Sequence, residues 1–332
     1  MPYFIFISGG VISGLGKGIT ASSLALLLEE AGYSTTIAKA DPYLNVDAGT
    51  MNPIIHGETF VTEDRLETDQ DIGHYERFLS RNLSKLNYMT LGQLFLTVLQ
   101  NEREMKYQGE CVEMIRHIPE EIKKRLHTLA KDSKAEIVIL EIGGTVGDIQ
   151  NQLFIEAARQ LKLQYAGRVL IIHVAYMPLP HNLGELKTKP VQQSVSLLLA
   201  AGVQPDIIVT RSEKNIDAVR KEKIAVFCNV HKEDIISNPD VASVYQVPAV
   251  LERQHLVERI QEKLNLPKKE LNVELKKKWD TFIDKTKITT KKARIGIVGK
   301  YFNSGEYALE DSYVCVIESL KHAFYFHNSA PD

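Results

Sequence analysis

Short runs that are apolar at nearly every position alternate along this chain with longer stretches whose apolar residues recur every three or four positions. The first pattern is that of strands buried on both faces, and the second that of one-sided helices. Tyr3–Ser8, Thr35–Lys39, Ile137–Glu141, Val169–Val174 and Ile207–Thr210 read as strands. Ile19–Ala31 reads as a helix that Gly32 stops. Further helices fall at about Leu91–Lys106, Pro119–Lys131, Gln152–Leu163, Pro190–Ala201 and Ala218–Phe227. Strands alternating with helices require crossover connections. The pattern therefore predicts an α/β fold, a parallel sheet with helices on both faces. No internal repeat or low-complexity tract interrupts it.

The character changes near Asn265. Between Pro267 and Lys292 the chain carries nine lysines, and Leu275, Trp279 and Phe282 recur at helical spacing. The intervening acidic residues dilute the charge, so this stretch reads as a linker helix docking one apolar face and not as a nucleic-acid patch. Beyond it, Arg294–Gly299 reads as a new first strand and Tyr313–Phe326 as the helix that follows. The expected organisation is a domain over 1–264, a Lys-rich linker over 265–292, and the opening of a second α/β domain over 293–332.

Composition narrows the function classes. The 332 residues are 44% hydrophobic and 25% charged, with a formal net charge of -2. That is ordinary globular composition, with no global field favouring nucleic acid or an anionic membrane. No apolar run approaches the ~18 residues of a membrane span. The first residues lack a basic region and lead into a glycine-rich turn, so they read as a strand and not as a signal peptide. Cys111, Cys228 and Cys315 are widely separated and form no metal or redox spacing, which suits a reduced, cytoplasmic setting.

The strongest chemical signal is Ser8-Gly9-Gly10-Val11-Ile12-Ser13-Gly14-Leu15-Gly16-Lys17-Gly18, directly after the first strand. Glycines let backbone N–H groups converge on phosphate oxygens, the following helix adds its positive end, and Lys17 adds a point charge. The spacing is not that of the standard phosphate loop, because five residues separate Gly10 from Gly16 and Gly18 stands where Ser or Thr is usual. Nor does it match the dinucleotide fingerprint. Such a site calls for Mg²⁺ held by carboxylates at strand ends. Glu141 closes an apolar run before Gly143-Gly144-Thr145, and Asp69 and Asp71 precede a helix expected near His74. A second cationic cluster, Lys187-Thr188-Lys189-Pro190, stands at a helix start with Pro190 as a candidate first helical residue. Cations there oppose the helix dipole unless an anion sits between them, which suits a second polyphosphate.

Taken in order, these strings resemble the amidoligase (synthetase) domain of the CTP synthase family. The matching stretches are Gly9–Gly18, Asp41-Pro42-Tyr43 with Asn45-Val46-Asp47, Gly49-Thr50-Met51, His56-Gly57-Glu58, Phe60–Asp64, Glu67–Asp71, Gly73–Phe78, Glu141–Ile149, Lys187–Pro190 with Gln192, and Phe227–Val230, spanning roughly 1–260. The resemblance implies a P-loop NTPase-like fold related to dethiobiotin synthetase. It implies that ATP phosphorylates the uracil 4-oxygen of UTP, after which ammonia attacks C4 and phosphate leaves. It assigns ATP to Gly14, Leu15, Gly16, Lys17, Gly18 and Ile19, aided by Lys39, with Pro239-Asp240-Val241 near the adenine. It assigns Mg²⁺ to Asp71 and Glu141. The UTP phosphates fall to Ser13, Lys187, Lys189, Gln192 and Lys223, within the stretch Lys187-Thr188-Lys189-Pro190-Val191-Gln192. The feedback inhibitor CTP is held at Asp148-Ile149-Gln150. Family members are tetramers with nucleotide sites at subunit boundaries.

Several positions depart from the family pattern. Arg65-Leu66 replaces two small residues, Gln150 a Glu, Val191 a Thr and Arg116 a Pro, and Tyr176–Leu183 differs from the usual Val-Pro-Tyr segment. The resemblance makes 293–332 the start of a class I glutamine amidotransferase domain. Its Cys-His-Glu triad is not among these residues, Cys315 falling too early, so free ammonia is the expected nitrogen source. Two rivals are a degenerate paralogue that binds nucleotides without turnover and another amidoligase of the dethiobiotin synthetase type. Intact Lys17, Lys39, Asp71 and Glu141 oppose the first, and the long Asp41–Phe78 block opposes the second.

Overall fold

The computed structural model describes residues 1–287, 292–304, 307–308 and 310–331. Its strands and helices are, in chain order, β1 (Tyr3–Gly10), α1 (Lys17–Glu30), β2 (Thr35–Asp41), α2 (Pro53–His56), β3 (Thr59–Val61), β4 (Glu67–Asp69), α3 (Asp71–Leu79), β5 (Tyr88–Thr90), α4 (Leu91–Arg103), α5 (Met114–Ser133), β6 (Ile137–Ile142), α6 (Gln152–Gln164), β7 (Val169–Tyr176), α7 (Lys189–Ala200), β8 (Ile207–Ser212), α8 (Ala218–Cys228), β9 (Ile235–Pro239), α9 (Val247–Glu252), α10 (Leu256–Leu264), α11 (Val273–Thr286), short strand β10 (Lys292–Ala293), pair β11 (Asn303–Ser304) and β12 (Tyr307–Ala308), α12 (Val314–Phe326) and β13 (Ala330–Pro331).

Seven strands form the main sheet in the order β5-β2-β6-β1-β7-β8-β9, every neighbouring pair parallel. This is the predicted α/β architecture. β1 lies at the centre, so the loop leaving it opens over the middle of the sheet. The strands read as continuous apolar runs because both faces are covered. Ile5 and Ile7 of β1 join Ile37, Ile139 and Leu24 on one side. Phe4 and Phe6 point the other way, into a cluster with Val138, Leu140, Ile122 and Phe154. The sheet is thus packed between α1, α3 and α10 on one face and α4, α5 and α6 on the other.

The linker helix α11 docks as expected, placing Leu275, Trp279, Phe282 and Ile283 against Leu26, Phe78 and Tyr245. Three expectations need correction. Among the described residues, Arg294–Gly299 is not assigned as a strand: the ladder here joins Lys292–Ala293 to Ala330–Pro331, and Val298 is fully exposed. A strand needs a ladder and a buried face, and among the described residues Ile295–Gly299 is assigned to no sheet and is exposed or half-buried. Pro190 is the second residue of α7, not the first, because Lys189 already has helical backbone. α5 also begins before its predicted start, at Met114, with Pro119 inside it.

Among the described residues, no helix is long and apolar enough to cross a membrane. α12 packs on α11, and its approach runs along the mouth of the sheet. Glu58 N–H donates to the Asp311 carbonyl at 2.9 Å, and Cys315 N–H to the Glu58 carboxylate at 2.6 Å.

Candidate nucleotide-phosphate site

Where β1 ends, the chain turns through Gly14 (φ 69°) and Gly16 (φ 81°), left-handed backbone that glycine adopts without a Cβ penalty. Gly16 caps α1, and no side chain satisfies the first N–H groups of that helix. No acidic residue of the helix itself stands in its first turn, and its positive end faces the loop. Lys17 is the first residue of α1. Its stem crosses Gly9, where a β-carbon would lie 2.6 Å from Lys17 Cδ, and its Nζ donates to the Gly144 carbonyl at 2.9 Å.

The register of the sheet does the rest. Lys39 of β2 is the cross-strand partner of Glu141 of β6, so the two side chains share a face. Lys39 Nζ lies 3.1 Å from Glu141 Oε1 and also pairs closely with Asp71, the first residue of α3. Tyr75, one turn along α3, donates to the other Glu141 oxygen. Burial opposes the Lys39 charge, yet Asp71 and Glu141 outweigh it and hold the ammonium well above its ordinary range. Burial pushes the Glu141 carboxyl up, and pushes Asp69 up to about 7. Lys17 is pulled down by burial, and His74 to about 4 by burial and Arg77.

These groups line one cavity of about 500 Å³, together with Ser13, Gly14, Leu15, Gly16, Gly18 and Ile19. Five carboxylates, Asp41, Asp69, Asp71, Glu141 and the exposed Asp311, line it with two lysines. Excess buried negative charge calls for a cation or for protons. Oxygens of Asp71 and Glu141 converge on the same point beside Gly18, at 2.4 and 3.2 Å from where its β-carbon would stand. Two hard carboxylates opening on a phosphate cradle fit Mg²⁺, which keeps waters and takes further ligands from phosphate. Among the described residues, no set of three or more His, Cys, Asp and Glu is grouped to hold a metal by protein ligands alone.

The remaining predicted residues lie around this cavity, not in it. Asp148 accepts from Thr145 N–H at 3.0 Å and from its hydroxyl at 2.7 Å, beside the loop after β6, while Ile149 and Gln150 are exposed. Lys187 pairs with Glu185, Lys189 is exposed at the start of α7, and buried Gln192 donates to Thr188 Oγ1 at 3.1 Å. Pro190 is half-buried and Val191 fully buried in the fold beneath them. Lys223 is exposed on α8, which packs beside α7. Pro239 ends β9, and Val241 packs on the edge of the core.

Asp240 reaches the cavity through Arg211, a residue that sequence reasoning missed. The Arg211 guanidinium donates to the Leu15 carbonyl at 3.2 Å, the Asn238 carbonyl at 2.6 Å and Asp240 at 2.8 Å. It thereby ties the phosphate loop to the end of β9. A lone arginine ending an apolar strand carries no local signal of that role.

A parallel sheet whose central strand feeds a glycine loop and a lysine at a helix N-terminus defines an α/β protein with a phosphate-loop cradle. The family model described as CTP synthase N-terminus matches residues 3–266. The chain belongs to this family. It is 47% identical over 331 residues to a CTP synthase of Caldanaerobacter subterraneus subsp. tengcongensis, covering 99% of this chain and 60% of the relative. It is 47% identical over 332 residues to one of Symbiobacterium thermophilum, and 48% identical over 324 residues to one of Sulfurisphaera tokodaii, again covering 60% of each relative. The chain thus spans about 60% of the length of these relatives. The solved structure of FtsY from Mycoplasma mycoides has a TM-score of 0.34 and 11% identity over 77% of this chain and 67% of its own, too weak a likeness to bear on fold or function.

Proposed function

We propose that this chain catalyses the ATP-dependent amination of UTP to CTP, forming ADP and phosphate. The observation that carries the reading is the convergence of Lys17, Lys39, Asp71 and Glu141 on one cavity under the phosphate loop. The uracil C4 carbonyl is a poor electrophile and its oxygen a poor leaving group. Transfer of the ATP γ-phosphoryl to O4 cures both. Phosphorylation of O4 releases the N3 proton to solvent; ammonia then forms the new C4–N bond, the C4–O bond breaks, phosphate departs and the added nitrogen gives up its extra proton.

In this reading the loop Gly14–Ile19 cradles the ATP phosphates, and Lys17 and Lys39 offset the charge of the transferring group. Asp71 and Glu141 would hold Mg²⁺, which when bound would supply Lewis-acid neutralisation of phosphate charge. Pro239-Asp240-Val241 lies on the adenine side, held to the loop by Arg211. Ser13, Lys187, Lys189, Gln192 and Lys223 take the UTP phosphates, and Asp148-Ile149-Gln150 takes CTP as feedback inhibitor. Because Lys189 and Lys223 are exposed on α7 and α8 and Lys187 is half-buried just before α7, a second subunit is expected to complete their site. A groove of about 350 Å³ between α6 and α7, lined by Ile115, Val146, Ile155 and Leu197, with Ile149 exposed nearby, supports a homotetramer with sites at subunit boundaries. A cytoplasmic location goes with this reading.

The nitrogen donor proposed for these residues is free ammonia. The Cys315 thiol is pushed up to about 11 by burial and by Glu58, which makes it a poor nucleophile. His322 spends its Nε2 on Tyr245 Oη at 2.7 Å, away from it. The test supplies the 332-residue chain with ATP, UTP and Mg²⁺ and follows CTP, with ammonium chloride or with ammonia-free glutamine. CTP is expected from ammonium, rising with pH as unprotonated ammonia grows, and not from glutamine. Lys17→Ala should raise the barrier by ~3 kcal/mol or more, as loss of one preorganised charge does. No CTP from ammonium overturns the reading, and glutamine-driven synthesis overturns the nitrogen source.

A further inference from the structure

Three side chains form a buried polar line beneath the phosphate loop. Ser8 of β1 lies with its hydroxyl 2.9 Å from Nδ1 of His173 on β7, and His173 Nε2 makes a close hydrogen bond to the hydroxyl of Ser194 on α7. None of the three is more than 3% exposed. Burial, with Lys17 adding to it, pulls His173 down to about 3, so the ring is neutral. A neutral imidazole has one N–H and one lone pair, and the two hydroxyls can supply the complementary partners whichever tautomer is present. Gly10 is part of the same arrangement. A β-carbon there would fall 1.5 Å from Ser194 Oγ and 2.9 Å from His173 Nε2. This glycine, read from sequence as belonging to the phosphate cradle, gives up its side chain to let α7 approach β1.

The two ends of this line lead to two different sites. Ser8 lies two residues before the end of β1, whose loop cradles one polyphosphate. Ser194 lies on α7, whose first residue is Lys189, with Lys187 just upstream. A leucine-sized side chain would fill the same volume without three buried polar groups that must all be satisfied. Such a network is better suited to setting register than to adding stability.

We propose that His173 is a positioning residue: through Ser8 and Ser194 it fixes the helix bearing Lys187 and Lys189 relative to the ATP loop, and so sets the alignment of the two nucleotides. The proposal rests on the reading of UTP at α7 and ATP at the loop. Each site keeps its own contacts when the bridge is cut, so binding of either nucleotide alone should persist while in-line transfer between them suffers.

The experiment compares wild type, His173→Leu, Ser194→Ala and His173→Gln, the last able to keep a polar group toward Ser194. It measures kcat for ammonia-dependent CTP formation, and the Kd of UTP alone and of a non-hydrolysable ATP analogue alone. For His173→Leu and Ser194→Ala, kcat should fall ~10- to 100-fold, the scale of a small misplacement of reactants. Both Kd values should stay within about twofold, since uniform binding is untouched. His173→Gln should recover part of the loss. Wild-type kcat in Ser194→Ala and His173→Leu overturns the proposal, as does a kcat loss matched by equal losses in both Kd values. Should His173→Leu fail to fold, Ser194→Ala decides. A wild-type chain that binds both nucleotides but forms no CTP overturns the functional reading instead.

Discussion

Gly18 and Asp71 compete for one space: a β-carbon on residue 18 would stand 2.4 Å from Asp71 Oδ1. The phosphate loop lacks its usual hydroxyl after the lysine because a carboxylate arriving from α3 occupies that position. Gly18→Ala should therefore displace Asp71. Alanine adds roughly 0.5–1 kcal/mol of helix preference in α1, which offsets much of the crowding. The expected result is a near-normal melting temperature with a magnesium requirement raised at least about tenfold, the scale of losing an oriented ligand. Full activity at wild-type magnesium would mean that Asp71 does not sit against residue 18 in solution.

Asp71→Asn and Glu141→Gln should each shift the activity-versus-magnesium curve to higher concentration, because a neutral amide is a weak ligand for a hard cation beside a carboxylate. Tyr75 and Lys39 remain to hold the amide of Glu141→Gln in place, so its fold should persist. Unchanged curves in both variants would put the metal elsewhere.

Arg211 holds the Leu15 carbonyl and Asp240 with one guanidinium. Arg211→Ala should raise the KM for ATP by about tenfold, equivalent to the ~1.5 kcal/mol of a hydrogen bond to a charged group, and leave the KM for UTP in place. Arg211→Lys should not rescue it, since a point charge cannot make three planar contacts at once. Equal changes for both nucleotides would contradict the assignment of this arginine to the ATP side.

Stability should carry a pH signature from Glu30, far from the cavity. Burial raises its carboxyl from 4.5 to about 7, against the pull of Lys276 at 3.7 Å. A raised carboxyl means that the folded chain binds a proton the unfolded chain has released. The contribution is therefore fully present below about 4.5 and is lost as pH rises through about 7. Glu30→Gln stays neutral, and Lys276 retains Glu252 at 2.7 Å. Its melting temperature should gain on wild type between pH 5 and 8, by the equivalent of about 1 kcal/mol after allowance for solvent screening. A difference that does not vary with pH would rule this carboxyl out.

Strands β1, β6, β7 and β8 were legible because burial on both faces leaves apolar runs, and β2, Thr-Thr-Ile-Ala-Lys-Ala-Asp, by its β-branched start and its place between helices. β5 and β9 were not: Tyr88–Thr90 is three residues long, and Ile235–Pro239 ends in Ser-Asn-Pro. Both are held by their neighbours in the sheet more than by their own propensity. The hairpin of β3 and β4 hides inside a polar stretch for the same reason. Arg294–Gly299 looked like a strand by pattern alone and is not assigned as one, since a local apolar pattern does not by itself place a run in a ladder.

What the sequence by itself determined is local: a strand, a glycine turn and a lysine at a helix start follow one another within 18 residues, and their chemistry is set by that succession. Tertiary structure decided which distant groups complete it. Lys39 meets Glu141 only because β2 and β6 pair in that register. Asp71 enters only because α3 packs across α1, and Gly10 lacks a side chain because Ser194 comes from another element. Arg211 and His173 have no sequence neighbours that mark them. Their links back to the phosphate loop and its strand span more than 100 residues of chain, 196 from Leu15 to Arg211 and 165 from Ser8 to His173, closed by the order of strands in the sheet. Backbone conformation is encoded over a few residues, whereas side-chain partnership across strands depends on register, which exists only once the sheet is assembled.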